Sequence, residues 1–279
     1  MLPDESLDQF LDDFLQKKDS LKTTAIELKK KDETMTEEFD DYKIQGDGKL
    51  KKRTWLAILL IVVFIPLTIF IGIYRGDREY YLIAMIIVMY SFIPFILRFE
   101  GRRPQARELV LIAVMVAIAV AGRAAFFMLP QFKPVVAVVI VAGICFGAES
   151  GFFVGSLTAL VSNFFFGQGP WTPWQMFAFG IIGFLAGILF QKNILQTNRL
   201  SLCIYGFLTT FFIYGGIMNM ASLLMFTQVI NWQSILAIYI SGAPFDLIHA
   251  VATVFFLWVA SQPMIEKLER IKVKYGLIE

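Results

Sequence analysis

Asp246 and His249 stand three residues apart in the run Gly242-Ala243-Pro244-Phe245-Asp246-Leu247-Ile248-His249-Ala250, so on a helix they share a face. His249 is the one histidine of the chain, and Asp246 is the one aspartate between residues 104 and 262. The surrounding residues are apolar. An ionisable group inside a membrane is costly and faces a cavity or a partner. Two readings stay open: a functional pair in contact with each other or with Arg123, or a structural pair that fixes helix packing. A metal site is not expected, because two ligands without a further Cys, His or Glu cluster fall short of the three or four required. No cofactor is expected. The chain carries no HExxH, no GxSxG, no glycine-rich phosphate loop and no Walker lysine, so no catalytic constellation stands out.

A second constellation is Ser162-Asn163-Phe164-Phe165-Phe166-Gly167-Gln168-Gly169-Pro170-Trp171-Thr172-Pro173-Trp174-Gln175-Met176. Aromatic and proline residues give rigid apolar walls, while Asn163, Gln168 and Gln175 supply neutral hydrogen bonds. Small-molecule pockets are built this way. An interfacial aromatic belt accounts for Trp171 and Trp174 but not for the Pro, Gly and Gln around them. A third segment, Gly122 to Pro134, is apolar except for Arg123, Gln131 and Lys133. It reads as a lid over a site or as a loop lying on lipid. Asn219, Ser222 and Gln228 sit at a depth where they would line the same space. Finally, Ala113, Ala117 and Ala121 recur at i, i+4, i+8, a spacing that lets another helix approach closely in a membrane. That helix belongs either to a partner or to the same chain.

The elements that position these residues follow from composition. Of 279 residues 57% are apolar and 17% charged, and 28 are Phe; a soluble domain carries about 25% charged residues. The first 53 residues hold 11 of the 25 basic and 14 of the 23 acidic side chains, which leaves too little charge elsewhere to cover a soluble surface. No stretch is basic enough to indicate nucleic acid. A polar start to the chain argues against a cleavable signal peptide. Cys145 and Cys203 lie in apolar runs and read as small packing residues.

The fold class expected is an all-α polytopic membrane protein with about eight spans: 55–74, 80–97, 108–121, 134–147, 151–166, 175–190, 200–225 and 235–260. Residues 1–53 read as a cytoplasmic charged extension, partly helical. In it Leu7, Phe10, Leu11 and Phe14 mark one helix face, and Ser6 with Gln9 fits a capping box. Residues 54–98 hold two plain helices, 104–262 a six-helix module, and 263–279 a basic cytoplasmic tail. With the start of the chain inside, inner loops carry 14 basic residues and outer loops only Arg75, Arg78, Arg123 and Lys133. The positive-inside rule then puts both termini in the cytoplasm.

The six-helix module resembles the S components of energy-coupling factor (ECF) transporters. Three elements carry the resemblance: the Ala113-xxx-Ala117-xxx-Ala121 face, the loop after it, and the Pro244-Phe245-Asp246-Leu247-Ile248-His249-Ala250 run. The last often continues with Gly-Asn in the family, where this chain has Ala252-Thr253. The Gly169-to-Gln175 run is similar to the cobalamin-type S components. The resemblance implies a plasma-membrane subunit, not an enzyme, that binds a vitamin from outside. It implies partners: a transmembrane coupling subunit docked on Ala113, Ala117 and Ala121, and two ATPases that drive uptake. It makes Arg123, Gln131, Asn163, Gln168, Trp171, Trp174, Gln175, Asn219, Asp246 and His249 the substrate-binding candidates. Alternatives are an S component for another heterocycle, such as a queuosine precursor or another vitamin, a membrane scaffold or sensor working through its tail, and an intramembrane enzyme using Asp246 and His249.

Overall fold

The computed structural model describes residues 52–75, 106–227 and 230–275, with isolated positions between 85 and 93. The charged extension up to residue 51, most of the expected second span (80–97), Gln228 and the last four residues lie outside the described residues.

Among the described residues, seven helices fall at seven of the eight expected places and no strand occurs. Helix α1 comprises Lys52–Leu59, a π turn Leu60–Phe64 and Ile65–Arg75. The π turn has a local cause. Pro66 has no N–H and its ring crowds the carbonyl four residues back, and the Ile65 amide bonds instead to Leu60 O, one residue further than in an α-helix. Then come α2 Ala106–Ala125, α3 Val135–Phe146, α4 Ala148–Phe166 and α5 Thr172–Gln191. Helix α6 is Arg199–Leu208, a second π turn Thr209–Tyr214 and Gly215–Phe226. Helix α7 runs unbroken from Trp232 to Tyr275. At 1.5 Å per residue its 44 residues extend about 66 Å, well beyond a hydrocarbon core of about 30 Å. The expected last span and the start of the basic tail are therefore one helix.

Three boundaries differ from expectation. Arg123 lies on α2, not in the loop after it, because the helix continues to Ala125. Helix α4 ends at Phe166, as the expected span 151–166 does, but α5 begins at Thr172 rather than at 175, so the connection between them is only 167–171. Gly167, at φ 109°, ends α4, and Pro173 starts α5 with its ring at a position that needs no N–H. Helices α3 and α4 are separated by Gly147 alone, at φ 88°.

The core lies around α3, whose twelve residues are all buried. A helix apolar on every side must be covered on every side. The tightest contact is between α4 and α5. A Cβ on Gly151 would sit 2.5 Å from Gly183 O, and one on Gly183 would sit 2.5 Å from Gly151 O. These two backbones touch directly, as small residues allow in membranes. Side chains tie the remaining helices: Tyr205 Oη donates to Ile182 O at 2.6 Å and Thr210 Oγ1 to Thr253 Oγ1 at 3.2 Å. Cys145 and Cys203 are free and buried. Apolar side chains such as Val110, Ile118, Ile240, Val251 and Trp258 face outward, a surface suited to lipid. Helices α5, α6 and α7 are each long and apolar enough to cross a membrane.

Replacing Gly183 by Val should therefore force α4 and α5 apart and cost about 3 kcal/mol. Gly216, where a Cβ would meet nothing within 4 Å, should accept Ala with unchanged or slightly raised stability. Thermal unfolding of the detergent-purified variants separates the two. Equal melting temperatures would refute the direct backbone contact.

Candidate functional site

The polar residues at the Arg123 end of the bundle form a connected cluster. Arg123, from the last turn of α2, donates through Nη1 to Ser162 Oγ at 2.6 Å and to Asn163 Oδ1 at 2.8 Å. Its guanidinium carbon lies 5.4 Å from the centre of the Phe166 ring. Asn163 is fully buried. With its oxygen committed to Arg123, its amide nitrogen donates to Thr172 Oγ1 at 3.0 Å and to Gln175 Oε1 at 2.8 Å. Thr172 also takes the Gly169 N–H at 3.3 Å and donates to Gln168 Oε1 at 2.8 Å, and Gln168 donates to Leu160 O at 3.1 Å. The short α4–α5 connection is thus held at both ends by hydrogen bonds from Asn163 and Gln168.

The cluster continues to α6. One turn along α5 from Gln175, Phe179 meets Tyr214, the last residue of the π turn. The Tyr214 ring stacks on Phe179 at 4.8 Å and meets the edge of His249 at 4.7 Å. His249 is buried, and its Nδ1 has no hydrogen-bond partner.

Asp246 and His249 are not paired. The Asp246 carboxylate accepts from Asn219 Nδ2 at 2.7 Å, and no ion pair joins it to Arg123. The reason is room. Gly215 leaves space on α6 for the Asp246 carboxylate, and Gly242 leaves space on α7 for Asn219, so these two side chains meet across the helix pair. Tyr239 closes the same contact by donating to Gly216 O at 3.0 Å.

The 126–134 segment folds over this end as turns. Phe126 packs on Phe256 at 5.0 Å, Phe132 on Phe255 and Phe256 at 5.7 and 5.3 Å, and Phe127 stacks on Phe166 at 4.9 Å. Gln131 adopts φ 55° in this segment and makes no hydrogen bond to the cluster. The Trp171 ring covers Gly169. Trp174 is buried and meets Phe70 of α1 edge-on at 6.4 Å, so it joins the module to the preceding helix.

The structure thus brings Arg123, Asn163, Gln168 and Gln175 into one network, sets Asn219 and Asp246 together beside it, and leaves Gln131 and Trp174 apart. Ser162, Thr172 and Tyr214 were not singled out from sequence. Ser162 and Thr172 lie in the run that was, and their hydroxyls are common enough to pass unnoticed. Tyr214 carries no sequence signal of this kind, since its orientation follows the π turn.

On the outside of the same end, Ala113, Ala117 and Ala121 are exposed. Ala117, Ala121 and Ala124 of α2, with Val161 and Phe165 of α4, line an apolar groove of about 490 Å³.

A family model described as "ECF transporter, substrate-specific component" matches residues 107–260, over half of the chain. A UPF0397 protein of Vibrio atlanticus (strain LGP32) is 28% identical over 167 residues, 53% of this chain and 91% of that protein. No solved structure matches the chain.

Removing the Asn163 amide takes one hydrogen bond each from Arg123, Thr172 and Gln175. Asn163→Ala should cost about 2 kcal/mol, and Ser162→Ala, which leaves Arg123 one acceptor, about half of that. Chemical unfolding in detergent measures both, and an Asn163→Ala variant as stable as wild type would show the network to be energetically idle.

Proposed function

Since this chain belongs to the family of ECF transporter substrate-specific components, we propose that it binds a vitamin or related micronutrient, with cobalamin the first candidate, and delivers it for ATP-driven uptake. The family places it in a multi-pass membrane assembly with a coupling subunit and ATPases. The observation that carries the binding role is the part-buried network of Arg123, Ser162, Asn163, Thr172 and Gln175. A bundle that needed only to be stable in lipid could hold apolar side chains where this one holds an arginine and two amides. A ligand that replaces one or two of these hydrogen bonds meets preformed partners within aromatic walls.

In this reading the network end faces outward and the 126–134 segment is the gate. The gate is held by contacts between Phe side chains and α7, dispersive contacts that separate without breaking a hydrogen bond or an ion pair. Gln168, Trp171, Asn219, Asp246 and His249 flank the network as further ligand contacts, and Gln131 and Trp174 act at its edges. The exposed Ala113, Ala117 and Ala121 face docks the coupling subunit. ATP use by the assembled complex then reorients the module and releases the ligand inside. Cobalamin is favoured by the Gly169-to-Gln175 run. The inward position of both termini rests on the basic residues of the loops.

Calorimetric titration of the purified full-length chain with cobalamin should give saturable one-to-one binding, weakened at least tenfold by Gln175→Ala (about 1.4 kcal/mol). No binding would remove cobalamin and move the test to other vitamins and heterocycles. Ala117→Trp should leave the titration unchanged while abolishing co-purification with the coupling subunit. Loss of both together would mean that the alanine face supports the fold of the module itself.

A further inference from the structure

We infer that the ligand of this site carries an anionic group, a carboxylate or a phosphate ester, held between Arg123 and Lys133. The inference rests on the substrate-binding reading and names the chemistry of what is bound. Arg123 spends Nη1 on Ser162 and Asn163, both neutral, so its hydrogen bonds are partly met and its charge is not. Among the described residues no carboxylate pairs with Arg123 or Lys133. Asp246 is taken by Asn219. Glu149, in the first turn of α4, and Glu266 and Glu269, far along α7, stand at the opposite end of these helices.

Lys133 comes from the segment that covers the site, and its ammonium makes no hydrogen bond among the described residues. Burial, and then the Arg123 charge, push its pKa below the ordinary lysine range. Gly122 packs directly against Pro134, which sets their chain neighbours Arg123 and Lys133 at the same end of the bundle, under a segment whose Phe127 stacks on the Phe166 ring that Arg123 also meets. Like charges brought together with water excluded repel strongly, and a charge at this depth calls for a partner. A carboxylate or phosphate satisfies all of this. The guanidinium fork takes such a group with paired hydrogen bonds, and the lysine adds a point charge from above. The anion would also tie the covering segment to α2, so that binding and closure become one event. Cobalamin carries a group of this kind, its phosphodiester.

The test uses the full-length chain in neutral detergent, with inorganic phosphate and succinate as probes against chloride at matched ionic strength. Phosphate or succinate should raise the melting temperature by several degrees where chloride does not, and Arg123→Gln and Lys133→Gln should each remove the difference. Lys133→Gln breaks no hydrogen bond of the fold, so it remains informative should Arg123→Gln fold poorly. Absence of any anion-specific rise in the wild type overturns the inference, as does a rise that survives both substitutions. A rise that vanishes in phosphatidylglycerol nanodiscs but persists in phosphatidylcholine would mean that a lipid headgroup fills the site, and that too overturns it. A vitamin bound equally well by wild type and both variants would overturn the anion and leave the transport role intact. An anion-specific rise with no uptake by the assembled complex would sink the transport role and leave the anion site standing.

Discussion

The direct approach of α4 to α5 at Gly151 and Gly183 sets the spacing on which the rest is built. With no side chain between these backbones, residues farther along the same two helices arrive within hydrogen-bond distance. That is why Asn163 near the end of α4 reaches both Thr172 and Gln175 at the start of α5. A bulky residue at either glycine would separate the donors from their acceptors long before it disturbed either helix. The polar cluster is in this sense a product of backbone packing. Its geometry is inherited from two residues that carry no functional group.

The second organising fact is electrostatic. Two of the charges at this end are held in separate arrangements: Asp246 against the Asn219 amide, and Arg123 against the Asn163 amide and the Ser162 hydroxyl. Each ion is solvated by neutral groups rather than by the other. Neutral solvation leaves a charge free to act at a distance, where an ion pair would have quenched it.

The positions of the helices were legible because lipid allows few alternatives: a long apolar run has to be helical if its backbone groups are to be satisfied. The ends of the helices were less legible. Arg123 read as a loop residue because it interrupts an apolar run, yet the helix carries it one turn further. The glycines and prolines between 166 and 175 read as a connection of eight residues, whereas Gly167 stops one helix and Pro173 sits in the first turn of the next, which starts at Thr172. Within the site, the amides of Asn163, Gln168 and Gln175 were visible as polar residues in an apolar context. The partner of Asp246 was not. Spacing along one helix pointed to His249, and only the small residues Gly215 and Gly242 on facing helices decide for Asn219. Tyr214 was beyond reach because the signal that would find it, helical periodicity, is the one that the π turn interrupts.

That turn has a consequence for how the site tolerates change. A π turn is a dislocation in the helix, one extra residue absorbed without breaking the rod. The two halves of α6 are therefore out of register by about 100°, the rotation that one residue contributes. Each half presents its own face to its own neighbours, with Tyr205 before the fault and Asn219 beyond it. Deletion of a single residue within Thr209–Tyr214 would heal the fault into an ordinary helix and turn one half against its neighbours. Substitutions inside the same stretch leave the count intact. For this segment the number of residues is thus a stricter requirement than their identity.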